Sequence, residues 1–369
     1  MAVMDPFLPD DEKVAAIRAL LPATGAGIYL DVPSAGPLPA ETDRALREAD
    51  DWELRVGRGG PDHAADAALR RDEARGVVAA ILGTTPDRVL PVMGIRAAVA
   101  AALSVLEPVD AELTILDGVE PALADAVRVI AGGRGWRSRD DEGLGRGVVV
   151  APAIRVDDGT PVDLAVLAGR VHAGGGLLVA DLTLAAASTD PTLPTLGADA
   201  AVLATDRWLL GPDGTAAAWL PAGVADRAAA LADPLPRRAA LGLGRSVGWL
   251  LMYVGLPWAV ARTTAMARHL RGAFTAIPGV SLRGAADLAT PVSVFTIGGW
   301  TADEAGDELG RRVFAITGRT PDGSALRVGV GCWTTMAELD RFAAAVREIA
   351  AHTPDTLPRK PPLTVLGGG

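Results

Sequence analysis

Apolar and polar residues alternate along this chain in two rhythms, one helical and one extended. Residues 11–21 (DEKVAAIRALL) carry apolar side chains at helical spacing, which predicts an amphipathic helix, then a glycine-containing turn and a short strand around 28–30. A long helical pattern covers 40–82 and breaks at 57–61, where the sequence reads GRGGP. Beyond it, short apolar runs at 88–92, 113–116, 147–151, 176–181, 200–204 and 216–220 read as strands. Helical segments at 95–106, 121–131 and 164–173 separate most of them. Several of these strands are apolar at every position, so both faces are covered. Strands of that kind alternating with helices predict a mainly parallel sheet with helices on two sides.

The rhythm changes after a Pro-rich stretch at 232–238. Residues 246–274 read as one long helix that tolerates Pro257 only as a kink or break. A strand at 292–297, a helix at 302–313, a strand at 325–330 and a helix at 336–351 make up a smaller α+β region. The predicted organisation is an N-terminal segment (1–30) packing on the smaller domain, a large α/β domain (31–240), a small C-terminal α+β domain (241–355) and a flexible Pro/Gly-rich tail (356–369).

Composition narrows the function classes. Apolar residues make up 49 % and charged residues 22 % of the 369 positions, ordinary for a folded protein. The net charge of −10 comes without a basic block, so no nucleic-acid partner is expected. The apolar stretches are too short or too interrupted for a membrane span, and the acidic start MAVMDPFLPDDEK is not a signal peptide. Cys332 is the one cysteine, which fits a reducing compartment, so a cytoplasmic location is expected. His63, His172, His269 and His352 show no metal-ligand spacing, and no metal is expected. Lysine has nearly vanished, leaving Lys13 and Lys360.

Three stretches carry a family resemblance. They are IYLDVPSAGPLP at 28–39, GGLLVADLTLAAAS with GADAAVLATDRWLLGPDGTAAAWL across 175–220, and ALRVGVGCWTTMAELDRF at 325–342. Their order and spacing resemble class V aminotransferases and cysteine desulfurases, the fold-type-I transferases that depend on pyridoxal phosphate. Length and flavour are similar to the isopenicillin N epimerase and hercynylcysteine sulfoxide lyase branches. The resemblance implies a fold-type-I large domain with a mainly parallel seven-stranded sheet and a smaller C-terminal α+β domain.

The resemblance also assigns site positions. The family lysine, which forms a Schiff base with the cofactor aldehyde, is matched by Arg207 in DRWLLGP. A guanidinium stays charged and cannot serve as that amine. Asp181 matches the carboxylate that holds the pyridinium nitrogen, while Leu184 stands where a hydrogen-bonding Gln or His is usual. Gly94 and Ile95 match the phosphate cup at a helix N-terminus, with Arg96 beside them in place of a hydroxyl. Val247 and Trp249 fall near the Thr that a neighbouring subunit normally contributes, and Glu120 falls nearest the ring that stacks on the cofactor. Arg327 matches the arginine that binds the substrate carboxylate. The losses together imply that pyridoxal phosphate binding is gone and that no cofactor is expected.

The candidate catalytic residues are Arg207 and Asp181. The candidate substrate contacts are Arg327, Arg207, Arg96 and Glu120. Arg207 either pairs with Asp181 or binds a ligand anion. Cys332 reads as a packing residue, and Trp249, Tyr253 and Trp258 as a helical aromatic group. Three functions stay open. The first is a repurposed, cofactor-independent protein acting as a lyase, transferase or epimerase, or only as a binder, on an amino-acid-like or carboxylate small molecule in secondary metabolism. The second is a non-catalytic subunit partnering an active homologue. The third is a protein that holds pyridoxal or pyridoxamine phosphate non-covalently. A homodimer is the expected assembly, with a heterodimer as the alternative.

Overall fold

Glycine and proline cut the chain close to where the pattern predicts. The computed structural model describes residues 9–139, 146–189, 196–229 and 235–358, which fall into two compact units. The larger holds residues 38–156 and 161–260, and the smaller 9–37, 157–160 and 261–358.

In the larger unit two helices come first, α3 (Ala40–Val56) and α4 (Gly60–Ile81), separated at Gly57 and Gly60, both at positive φ. The alternating region follows: β2 (Val89–Met93), α5 (Ile95–Ser104), β3 (Glu112–Ile115), α6 (Pro121–Gly133), β4 (Arg137–Arg139), β5 (Val148–Pro152) and α7 (Leu164–Ala173). It continues with β6 (Leu177–Asp181), β7 (Ala200–Ala204), β8 (Thr215–Trp219) and α8 (Ala225–Ala229). The seven strands form one sheet in the order β2-β8-β7-β6-β5-β3-β4. Five of them, β4, β3, β5, β6 and β7, run parallel, and β8 runs against both β7 and β2. Strands β5 and β8 are buried at every position, as their unbroken apolar runs require. One face packs on α5, α6 and α8 through Val99, Leu103, Leu123 and Val127.

Helix α9 (Arg237–Trp249) completes this unit. It lays Gly242 against Leu46 of α3 and joins Ser246 to Thr42 through a hydroxyl–hydroxyl hydrogen bond of 2.9 Å. This corrects two expectations. Residues 241–260 belong with the larger unit, and the helix begins at Arg237, inside the stretch read as Pro-rich. The predicted single helix over 246–274 is broken as well. A π-helical turn at Leu250–Val254 and Gly255 at φ +83° end α9 before α10 (Leu256–Thr275) begins. Among the described residues no single helix is long and apolar enough to cross a membrane.

The smaller unit contains α1 (Asp10–Ala19), α2 (Ala23–Ala26), β1 (Ile28–Tyr29), β9 (Val280–Leu282), β10 (Val292–Ile297), α11 (Ala302–Val313), β11 (Ala315–Ile316), β12 (Gly318–Arg319), β13 (Leu326–Gly329) and α12 (Met336–Ala350), with most of α10. A four-stranded antiparallel sheet, β12-β13-β10-β9, backs a core of Phe274, Phe295 and Phe342, while β1 pairs in parallel with β11. Helices α11 and α12 both open with a capping box, Thr301 with Glu304 and Thr335 with Glu338. Of the tail, 356–358 are described and 359–369 lie outside the described residues, as do residues 1–8 of the N-terminal segment.

Candidate functional site

A parallel sheet gathers the carboxyl ends of its strands at one edge, and ligands of open α/β sheets bind there. In the larger unit that edge receives Met93 at the end of β2 and Gly94 after it, Glu120 after β3, Asp181 at the end of β6, and Asp206 and Arg207 after β7. Strand β8 starts from the same edge, and the Gly94 N–H donates to the Gly214 carbonyl at 2.7 Å. The sequence-predicted residues Gly94, Ile95, Arg96, Glu120, Asp181, Leu184 and Arg207 therefore belong to one edge of one sheet. Arg96 is exposed, and Leu184 is buried.

Asp181 is 4 % exposed. Its Oδ2 accepts from the Glu120 N–H at 3.0 Å and its Oδ1 from the Thr183 N–H at 2.9 Å. Burial pushes this carboxyl above the usual carboxylate range. The N–H of Glu120, the hydroxyl and N–H of Thr183 and the charge of Arg207 draw it back only in part. Two elements thus fix one acid: the turn ending at Glu120, and the turn leaving β6.

The ion pair of Arg207 is with its neighbour Asp206, Nη1 to Oδ1 at 3.2 Å, and not with Asp181. Arg207 acts on Asp181 through space alone. The loop that carries the pair is closely tied. The Thr205 N–H donates to the Thr215 carbonyl at 2.9 Å and the two threonine hydroxyls meet at 2.7 Å. Leu210 sits at φ +58°, a strained conformation for a leucine, and a Cβ on Gly211 would lie 2.8 Å from the Thr205 carbonyl. Asp206 was not singled out from the sequence. Its one signal there is a charged residue two positions after a wholly apolar strand.

At the start of α5, Gly94 adopts φ +80° with no side-chain cap on the helix, and nothing lies within 4 Å of the place a Cβ would occupy. Val247 and Trp249 are fully buried in α9, where Trp249 stacks on Tyr253 at 5.9 Å between ring centres. In the smaller unit Arg327 is 6 % exposed on β13, and its Nη2 donates to the Ser34 hydroxyl at 3.2 Å. Cys332 is packed inside that unit, and burial raises its thiol to about 12. Among the described residues no group of three or more His, Cys, Asp or Glu could hold a metal ion.

No protein-family profile and no curated protein sequence matches this chain. Solved structures do. An apo cysteine desulfurase from Thermococcus onnurineus NA1 superposes with a TM-score of 0.77 over 95 % of this chain and 100 % of its own, at 15 % identity. A mutant of C-DES with glycine covalently linked to the PLP cofactor gives 0.76, over 89 % and 98 %, at 13 % identity. The Escherichia coli cysteine desulfurase CsdA gives 0.72, over 92 % and 98 %, at 17 % identity. The chain has the cysteine desulfurase-like fold of class V aminotransferases, that is, fold type I with its seven-stranded, mostly parallel sheet. The likeness also corrects the expectation of a protein without a cofactor. That expectation rested on missing side chains alone, whereas the fold matched over nearly the whole chain is one that carries pyridoxal phosphate in C-DES.

Proposed function

We propose that this chain binds a pyridoxal-phosphate-type vitamer without a covalent link and uses it on an amino-acid-like or carboxylate small molecule. The reaction would be of lyase, transferase or epimerase type. Asp181 carries the reading. A carboxyl this deeply buried is costly to keep unless something cationic meets it, and a protonated ring nitrogen is such a group. The edge suits the vitamer at a second point, because the uncapped start of α5 behind Gly94 offers backbone N–H groups to a phosphate. It does not suit a covalent link. On this reading Arg207 takes the place of the family lysine, and a guanidinium cannot serve as a Schiff-base amine. Of the two lysines, Lys13 lies in α1 of the smaller unit and Lys360 outside the described residues.

When bound, the vitamer supplies an electron sink. Of the chain's own residues, Asp181 would hold the ring proton, and the N–H groups at the start of α5 would meet the phosphate. The epimerase or sulfoxide-lyase branch, a cytoplasmic homodimer and a role in secondary metabolism belong to the same proposal. A second reading rests on Val247 and Trp249. They are fully buried where the resemblance places a contact to cofactor phosphate, as suits a non-catalytic subunit that pairs with an active, lysine-bearing homologue.

The test is to titrate the purified protein with pyridoxal phosphate and with pyridoxamine phosphate, following absorption and equilibrium dialysis. Saturable binding is expected that desalting reverses and borohydride does not fix. Asp181→Asn should weaken it about tenfold or more, the loss of one charge-assisted contact. No saturable binding of either vitamer sinks the proposal, and a borohydride-stable adduct sinks its non-covalent part.

A further inference from the structure

The loop between β7 and β8 holds two buried polar atoms of opposite kind, side by side, with no hydrogen bond among the described residues. Asp206 is 7 % exposed, and its Oδ2 accepts from the Gly214 N–H at 3.0 Å, but its Oδ1 accepts nothing. Nη1 of Arg207 touches that oxygen at 3.2 Å without hydrogen-bond geometry, and the buried Nε of Arg207 donates to nothing. A buried acceptor and a buried donor left unmade are both unfavourable. Neither of these two atoms is needed to hold the loop's shape, because the bonds of Thr205 with Thr215 and Gly211, and the bond from the Gly214 N–H to the other carboxylate oxygen of Asp206, already fix it.

The orientation of the guanidinium matters. Its donors form a rigid fork, and with Nη1 turned to Asp206 the buried Nε, which has no hydrogen bond, lies with Nη2 on the side that matches a planar acceptor. A lone anion drawn to that side would be repelled by Asp206, and a lone cation at Oδ1 would be repelled by Arg207. A molecule carrying both charges one carbon apart answers both, on the scale of the 3.2 Å contact itself. Opening that contact loses an ionic attraction but no hydrogen bond.

We propose that Asp206 and Arg207 form a receptor for a zwitterion of the α-amino-acid kind, with the ammonium on Asp206 Oδ1 and the carboxylate on the Nε–Nη2 side of Arg207. This rests on the carboxyl edge being the ligand site proposed above, though not on a vitamer being present. It places the amino acid on side chains of the larger unit itself, independently of Arg327.

The experiment titrates glycine into the purified protein by calorimetry with no vitamer added, and compares acetate and methylamine, each of which keeps one of the two charges. Glycine should bind, and either half should bind at least about tenfold more weakly. Asp206→Asn and Arg207→Gln should each weaken glycine by about tenfold to a hundredfold. Arg207→Lys, which keeps the charge and loses the fork, should also weaken it. The inference is overturned if glycine does not bind, if acetate binds as tightly as glycine, or if Arg327→Gln alone abolishes binding. Vitamer titration of the same wild-type samples is scored separately. Glycine binding lost with vitamer binding intact therefore fails this inference and leaves the earlier one standing.

Discussion

Two glycines on α9 face different surroundings, and alanine should stabilise at one and not at the other. A Cβ on Gly242 would overlap the Pro212 ring and lie 3.2 Å from Leu46 Cδ2, whereas a Cβ on Gly248 would meet nothing within 4 Å. In a helix interior the exchange of glycine for alanine contributes about 1 kcal/mol. Gly248→Ala should therefore stabilise by about that amount. At Gly242 the same gain is opposed by overpacking against a rigid ring, which costs about 1–3 kcal/mol. Gly242→Ala should thus be neutral to about 2 kcal/mol destabilising, and the two variants should differ by about 1–3 kcal/mol. Urea unfolding midpoints at unchanged m-value measure this directly. The same overlap pushes on Pro212, two residues before the Gly214 N–H that holds Asp206, so Gly242→Ala should also weaken glycine binding while Gly248→Ala leaves it alone. If Gly242→Ala proves as stable as Gly248→Ala, then α9 does not rest on the Pro212 loop and the placement of Asp206 loses its support.

Other outcomes follow from pairs already named or from their neighbours. In the larger unit burial works against the Asp66 carboxylate, but the hydrogen bond from Arg237 and the charges of Arg70 and Arg237 hold it below the ordinary range. A depressed folded-state value means stability present above the unfolded value of 3.8 and lost as pH falls through the folded one, so Asp66→Asn should flatten the acid limb of a stability-against-pH curve. Cys332, buried with its thiol raised to about 12, should resist a thiol-specific disulfide reagent in the native protein and react fully in denaturant. Rapid native labelling would contradict its burial. In the smaller unit Arg18 donates to both oxygens of Glu338 at 2.8 and 2.9 Å and to the carbonyls of Trp333 and Thr24. Arg18→Ala should cost about 2 kcal/mol in thermal or urea unfolding, discounted from a fully buried pair because the arginine is partly exposed. A loss within error of zero would show that the pair is not formed in solution.

Most of the fold was legible because strong local signals agreed with tertiary demands. The break at 57–61, the helix at 164–173 and the strand at 200–204 were marked by glycine, by period or by unbroken apolar runs. What was missed had weak or misleading local chemistry. Strand β4 is Arg-Ser-Arg, an edge strand with no apolar residue to mark it. The start of α9 hid behind prolines, since Pro236 serves as its N-cap and looks from sequence like a loop. The long helix over 246–274 had the right period on both sides of Gly255, and periodicity alone cannot register one residue at positive φ. At the site, Asp181 and Arg207, read from a strand end and from the motif DRWLLGP, fall on one edge of the sheet, while Arg207 pairs with Asp206, a partner that neither of its two readings named. The choice between Asp181 and Asp206 depends on which way the loop after β7 turns, and that turn is set by Thr215 and Gly214 about ten residues on.

The reversal of β8 bears on how such a protein can change over time. Because β8 returns against β7, the chain leaves and re-enters the sheet at the same edge, and residues 205–214 form a closed cassette fastened at both ends by backbone bonds to Thr215 and Gly94. Those fastenings do not depend on the side chains at 206 and 207. Mutation at 207 can therefore rewrite the chemistry carried there, exchanging an amine for a guanidinium, with those backbone ties in place, whereas a change at 206 also removes the bond from the Gly214 N–H to Asp206 Oδ2.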